Sequence, residues 1–273
     1  MPDARSNPDA RNGSLAINYC ELPPWVIASS AFNTAPSPLS LAGVRAGNRH
    51  FFQRLEVIAE ACQRGQVFHD YLAVRFALHH WDQHQGKARS SLRNSYIRYL
   101  RGWQRDSNGI EGAVLKSWVQ SRFGITPTYH RGVLKGDPSE ENDRFAFDRM
   151  KGSQKTNAIF SQLDLLYEYS QYELARQWPD RDTLTLYRGT NDAAEHPVRE
   201  RVSPRQYCVR LNNLVSFTED RETAWEFGST VWRTTVATSK IFAFSSLLPD
   251  SLLKGEGEYL AVGGNYWVAE LLY

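Results

Sequence analysis

Residues 183–189 read TLTLYRG. Polar and apolar residues alternate, β-formers dominate, and a period of two places Leu184, Leu186 and Arg188 on one face. This predicts a strand with one face turned to a core and a guanidinium at its far end on that same face. Burial strips the hydration of such a charge, so it needs a counter-charge or an anionic ligand. The chain stays extended beyond this point. Residues 213–218, 230–237, 240–244 and 258–263 are further strand candidates. One short helix, at about 220–227, interrupts them, with Thr218 or Asp220 as its cap and Gly228 as its stop.

Upstream the period changes. Phe51, Phe52, Leu55, Ile58, Ala59 and Cys62 recur at three- and four-residue spacing, which predicts a helix from Val44 that ends at Gly65. Further helices are expected over about 66–84, 88–105, 110–123 (ending at Gly124) and 153–177. The third carries Leu92, Tyr96, Tyr99, Leu100 and Trp103 on one stripe. The Pro-rich stretch 20–43 reads as irregular and 124–150 as a long loop. Helices first and strands later argue for an α+β fold. The expected organisation is a disordered tail over 1–19, a mainly helical lobe over 20–178 and a β-rich part over 179–273, together forming one compact domain.

Composition narrows the classes. In 273 residues, 41% are hydrophobic and eight are Trp, enough for a sizeable core and too many for a disordered chain. The longest uncharged stretch, Leu22 to Val44, holds four prolines, so no membrane span is expected. The first residues carry acids and prolines where a signal peptide needs an apolar run. Cys20, Cys62 and Cys208 form no Cys-x-x-Cys pair, which points to a reducing, cytoplasmic compartment. Net charge is +2 but uneven: +5 over 1–178 and −3 over 179–273. Residues 45–135 hold 15 basic against six acidic side chains, or +9. Such an excess suits an acidic protein surface or nucleic acid.

Several common chemistries are missing. There is no Walker A loop, no strand-linked G-x-G-x-x-G and no H-E-x-x-H. Gly152-Ser153-Gln154-Lys155-Thr156 echoes a phosphate loop without its first glycine and reads better as a helix start. His80 and His84 have the spacing of two metal ligands, but no third ligand is fixed beside them, and a solvated helix end accounts for them as well. Arg98, Arg101 and Arg105 share a helix face opposite the apolar stripe. That face is either solvated or a docking surface.

The sharper pattern lies in the last third. In Gly255-Glu256-Gly257-Glu258-Tyr259-Leu260-Ala261-Val262, both glutamates share the face of Leu260 and Val262. Their Cα atoms would be roughly 6.5–7 Å apart on a strand. Like charges so placed repel unless something holds them there, and the flanking glycines let a ligand approach the backbone. In Leu214-Val215-Ser216-Phe217-Thr218, two hydroxyls share one face just before a helix start. Each piece alone has a bland reading: a structural ion pair, a strand hydroxyl, an exposed strand end.

Their order resembles the Arg–Ser–Glu class of mono-ADP-ribosyltransferases, whose arginine-modifying members carry Glu-x-Glu. Four longer stretches are similar to the dinitrogenase reductase ADP-ribosyltransferases of nitrogen-fixing bacteria: SSAFNTAPSPLSLAGVR at 29–45, LTLYRGT at 184–190, NNLVSFTEDRETAWEFG at 212–228 and LLKGEGEYLAVGG at 252–264. The likeness covers roughly 25–273. The central motif here is Ser216-Phe217-Thr218 in place of Ser-Thr-Ser.

The resemblance implies a mono-ADP-ribosyltransferase fold, with two small, mainly antiparallel sheets around an NAD cleft and the helical lobe on one side. It makes 179–273 the NAD-binding catalytic core. It implies transfer of ADP-ribose from NAD+ to an arginine of dinitrogenase reductase, releasing nicotinamide and reversibly inactivating nitrogen fixation. In that scheme Arg188 holds the NAD phosphates and the Gly189 backbone binds the nicotinamide amide. Ser216 orients Glu258, Thr218 borders the NAD site, Glu258 stabilises the ribosyl cation, and Glu256 receives the target guanidinium. NAD+ is consumed as a substrate, and no metal or nucleic acid is expected. Control by nitrogen status makes a small PII signal protein an implied partner. The chemistry is coherent: breaking the nicotinamide–ribose bond builds an oxocarbenium-like centre, which a fixed carboxylate stabilises. An arginine is protonated at neutral pH and needs a base before it can attack. Three other readings remain: an arginine-specific transferase with a different protein acceptor, a non-catalytic docking adaptor of the same fold, and a nucleic-acid binder using the +9 segment.

Overall fold

The computed structural model describes residues 18–78, 95–136, 138–154, 156, 158–191, 195–249 and 257–272. The helices are α1 (Pro24–Ile27), α2 (Val44–Gly47), α3 (Arg49–Glu56), α4 (Ala61–Arg75), α5 (Tyr96–Arg105), α6 (Ile110–Phe123), α7 (Glu140–Ser153) and α8 (Ile159–Gln177). There follow β1 (Thr183–Thr190), β2 (Val198–Ser203), β3 (Gln206–Thr218), α9 (Arg221–Glu226), β4 (Thr230–Ala237), β5 (Ile241–Phe244) and β6 (Glu258–Leu271). The class is α+β, as expected.

Two separate sheets are not what forms. All six strands belong to one antiparallel sheet, in the order β2-β3-β1-β4-β6-β5, with β3 also pairing β6. The reason lies in β3 and β6, which are 13 and 14 residues long and pair with each other as well as with strands on either side. Their pairing crosses a bulge where Asn212 and Asn213 share one place opposite Gly263. A Cβ on Gly263 would lie 1.5 Å from the Asn212 carbonyl oxygen, so only glycine fits. The displaced asparagines tie the sheet to the helices. Asn213 Nδ2 donates to the Lys116 and Ile125 carbonyls at 2.7 and 2.9 Å, and Asn212 Nδ2 to the Tyr129 carbonyl at 2.8 Å. β3 and β4 each pair with both β1 and β6, so the sheet curls until four strands close on one another.

α8 is the buried axis of the helical layer. Leu163, Leu166, Tyr167 and Tyr169 are fully enclosed on it. So are polar groups, each with a partner from another helix, as burial demands. Asp164 takes Arg122 at 2.6 Å, Glu168 takes Arg45 at 2.5 Å and Glu173 takes Arg64 at 2.6 Å. Arg98 likewise pairs Glu111 at 2.8 Å. The +9 of residues 45–135 is therefore not a surface charge of that size: Arg45, Arg64 and Arg122 are matched by carboxylates of α8. The Tyr167 hydroxyl donates to the Ser239 carbonyl at 2.7 Å and Gln171 to the Ile241 carbonyl at 2.8 Å, which docks α8 at the head of β5.

Three element expectations change. Gly65 does not end a helix; it lies inside α4, where a Cβ would sit 2.9 Å from the Pro249 ring. The helix break comes earlier, at residues 57–60. The stretch 124–150 contains α7, which Ser139 caps by accepting from the Asn142 N–H, with Glu140, Glu141 and Asp143 in its first turn. Gly152-Ser153 closes that helix instead of opening the next. β2 is an edge strand, largely exposed, whose VRERVS sequence blunts the edge with charge. His79, His80 and His84 lie outside the described residues. Among the described residues no helix is long and apolar enough to cross a membrane.

Candidate active site

The last residues of β1, β3 and α5 and the first of β6 converge on one cleft of about 870 Å³. Register brings them together. Tyr187 stands opposite Thr218, and Thr218 opposite Glu258, so three strand ends separated widely in sequence become neighbours. Period two puts Ser216 on the face of Thr218 and Glu258, while Arg188, the residue after Tyr187, reaches this group through the Ser216 backbone carbonyl.

A chain of directed hydrogen bonds links them. Arg188 Nη1 donates to the Ser216 carbonyl at 2.9 Å. The Ser216 hydroxyl donates to Glu258 Oε1 at 2.7 Å. Two residues of α5 complete the set: Trp103 Nε1 donates to Ser216 Oγ at 2.8 Å, and Gln104 Nε2 to Glu258 Oε2 at 3.2 Å. Burial pushes the Glu258 carboxyl above its usual range, while Ser216, Gln104 and Arg188 pull it back. Burial likewise lowers the Arg188 guanidinium from its usual value, opposed by Glu195 and Glu258. Arg188 Nε is buried and has no acceptor among the described residues. An unsatisfied buried guanidinium edge on a cleft is a place for an anion.

The other expected positions fall around this centre. A Cβ on Gly189 would lie 2.0 Å from the Ala224 carbonyl oxygen, so its backbone alone meets α9 and borders the cleft. Thr218 is buried, and its hydroxyl accepts from the Asp220 N–H at 3.2 Å, shaping the turn into α9. Asp220, not Thr218, caps that helix. Gly257 has φ +66°, the left-handed region, as the chain turns into β6 at Glu258. Glu256 lies outside the described residues. Among the described residues no group of three or more His, Cys, Asp or Glu side chains is placed to hold a metal.

Sequence reasoning missed Trp103 and Gln104. Trp103 was legible as part of an apolar stripe, and it is indeed 4% exposed. The overlooked signal is chemical: a buried indole N–H needs an acceptor. Arg105, read as part of a basic surface, is exposed and also lines the cleft. Behind Trp103, Lys116 donates to Asn108 Oδ1 and the Tyr129 carbonyl at 2.8 and 2.9 Å. Burial holds its ammonium pKa down at about 7.

The family model described as dinitrogenase reductase ADP-ribosyltransferase matches residues 17–270. The chain belongs to the dinitrogenase reductase ADP-ribosyltransferase family. The NAD(+)--dinitrogen-reductase ADP-D-ribosyltransferase of Rhodospirillum rubrum is 43% identical over 258 residues, which cover 93% of this chain and 94% of that protein. No solved structure matches. As a dinitrogenase reductase ADP-ribosyltransferase family member, the chain is matched through α5 as well as through the strands. The helix that supplies Trp103 and Gln104 is thus as much part of the family's extent as β1, β3 and β6.

Proposed function

We propose that this chain transfers ADP-ribose from NAD+ to an arginine of dinitrogenase reductase, releasing nicotinamide and reversibly inactivating nitrogen fixation. The observation that carries this reading is the meeting of Arg188, Ser216 and Glu258 on one cleft, in a chain that matches the family over nearly its whole length. The cleft volume lies in the range that suits a small-molecule ligand.

Each residue has a physical task. Arg188, with its unsatisfied Nε, offers a forked donor to the pyrophosphate. The bare backbone at Gly189 borders the nicotinamide, and Thr218 holds the turn beside it. The bond between ribose C1′ and the nicotinamide nitrogen breaks, and its electron pair stays on that nitrogen, which becomes neutral. Glu258, held by Ser216, faces the positive charge that grows at the ribose. A guanidine nitrogen of the acceptor forms the new bond to C1′, and its proton passes to a carboxylate, the task we assign to Glu256. NAD+ is a consumed substrate, and no metal takes part in these steps.

The same reading makes the architecture a mono-ADP-ribosyltransferase fold, with 20–178 as the helical lobe and 179–273 as the NAD-binding core. It places the protein in the cytoplasm, under nitrogen control through a PII signal protein. The test is incubation with NAD+ and purified dinitrogenase reductase, followed by nicotinamide assay and mass spectrometry of arginine peptides. One ADP-ribosyl arginine per nicotinamide released is expected. Modification of other proteins but not this one would make the chain a transferase with another acceptor. No cleavage of NAD+ at all would leave a docking adaptor.

A further inference from the structure

Trp103 and Gln104 reach the sheet from a helix that has no other part in the chemistry. Their bonds have a direction that matters. An indole N–H is a donor and nothing else. At 2.8 Å it occupies a lone pair of Ser216 Oγ. Arg188 uses the Ser216 carbonyl, not its hydroxyl. The single hydroxyl proton is thus left to Glu258 Oε1, at 2.7 Å. Gln104 Nε2 presents a second donor to Oε2. Both carboxylate oxygens accept a hydrogen bond, which favours the ionised form over the acid. Trp103 is 4% exposed, so packing holds its N–H in place.

We propose that Trp103, aided by Gln104, is a positioning residue: it fixes the Ser216 hydroxyl as a donor and so holds Glu258 as an ionised, cleft-facing carboxylate. This rests on the reading of Glu258 as the group that faces the ribosyl cation. It makes the seating of α5 on the sheet a determinant of the pH range in which the site is active.

The inference predicts a pH signature. Burial pushes Glu258 up, and the Ser216 bond is the first of the groups opposing it. The other charges nearby are Arg188 on β1, which also opposes it, and Arg105 and Asp106 at the end of α5. Glu195 acts on Arg188, and Glu219 is held by the Tyr259 hydroxyl beside the start of β6. None of these changes when the indole N–H is removed. The loss should therefore appear as a rise in the acid limb alone.

The experiment follows kcat/KM for modification of dinitrogenase reductase by the full chain across about pH 5 to 9. Trp103→Phe is expected to move the acid limb upward by about one pH unit. At high pH its rate should return to within about threefold of wild type, with KM for NAD+ little changed. Site-specific replacement of Trp103 by 3-benzothienylalanine exchanges only the N–H for sulfur, keeps the packing, and should give the same shift. Ser216→Ala should match it, and the double variant Trp103→Phe with Ser216→Ala should add nothing further. An unmoved limb with a uniformly lower rate, or shifts that add, overturns the proposal. Glu258→Gln separates the two failures. If it abolishes transfer while the position-103 variants leave the limb in place, only the positioning inference falls. If it keeps the wild-type rate and limb, the reading of Glu258 falls and this inference with it.

Discussion

Replacing Glu258 by glutamine changes charge with little change of shape. The amide oxygen can still accept from Ser216 Oγ, where the wild-type bond is 2.7 Å. The amide nitrogen then meets the amide of exposed Gln104, whose Nε2 is 3.2 Å from Oε2 in the wild type and which can turn its oxygen to accept. What disappears is the negative charge facing the ribosyl cation. The expected loss in transfer rate is ~10²–10⁴, the scale for a positioned charge or proton-transfer group. That is about 3–5 kcal/mol of transition-state stabilisation. Stability should move the other way. Burial holds the folded-state pKa of Glu258 above the ordinary 4.5. A raised carboxyl contributes stability below that ordinary value and loses it as pH rises through the folded value. At pH 7 the ionised side chain is a net cost to folding, and glutamine removes it. Thermal unfolding should give an equal or higher Tm at pH 7 and no gain near pH 4, while initial rates of labelled ADP-ribose transfer collapse. A rate within twofold of wild type would refute the assignment. A lower Tm alongside the lost rate would show a carboxylate needed for folding.

Three further outcomes follow from named contacts. Arg188→Lys loses the fork and the 2.9 Å bond to the Ser216 carbonyl, so NAD+ affinity by titration calorimetry should fall about tenfold or more; unchanged affinity would make Arg188 purely structural. Glu173→Gln breaks an enclosed pair with Arg64, made at 2.6 and 2.7 Å, and should cost ~3–5 kcal/mol in urea denaturation. An unshifted midpoint would mean the Ile58 and Ala59 carbonyls satisfy Arg64 without it. Arg101→Glu alters an exposed position on α5, where neighbouring Arg98 is already tied to Glu111. It should slow modification of the protein acceptor most at low salt and leave acceptor-free NAD+ cleavage unchanged; an equal fall in both would give the residue a role in the fold instead.

Local pattern was enough wherever an element is specified by its own residues. The alternation of TLTLYRG became β1, and α6 runs over Ile110–Phe123 as the apolar spacing required, ending at Gly124 with φ +71°. The short helix after Thr218 begins at its Asp220 cap. The order Arg188, Ser216, Glu258 also pointed to one cleft before any register was known. Other features were set by partners distant in the chain, which no local period reports. Gly65 looks like a stop in sequence, and only the approach of Pro249 explains it inside α4. The family resemblance implied two sheets, and the strand candidates were short; β3 and β6 extend further because they pair antiparallel with each other along most of their length. A basic stretch of +9 suggested a surface, yet Arg45, Arg64 and Arg122 are drawn to carboxylates on α8. Trp103 shows the division most clearly. Its helical stripe determined that it would be buried. That its one polar atom meets Ser216, 113 residues away, depended on how α5 seats on the sheet, because a hydrogen bond needs both distance and direction, and tertiary packing alone supplies these between remote segments.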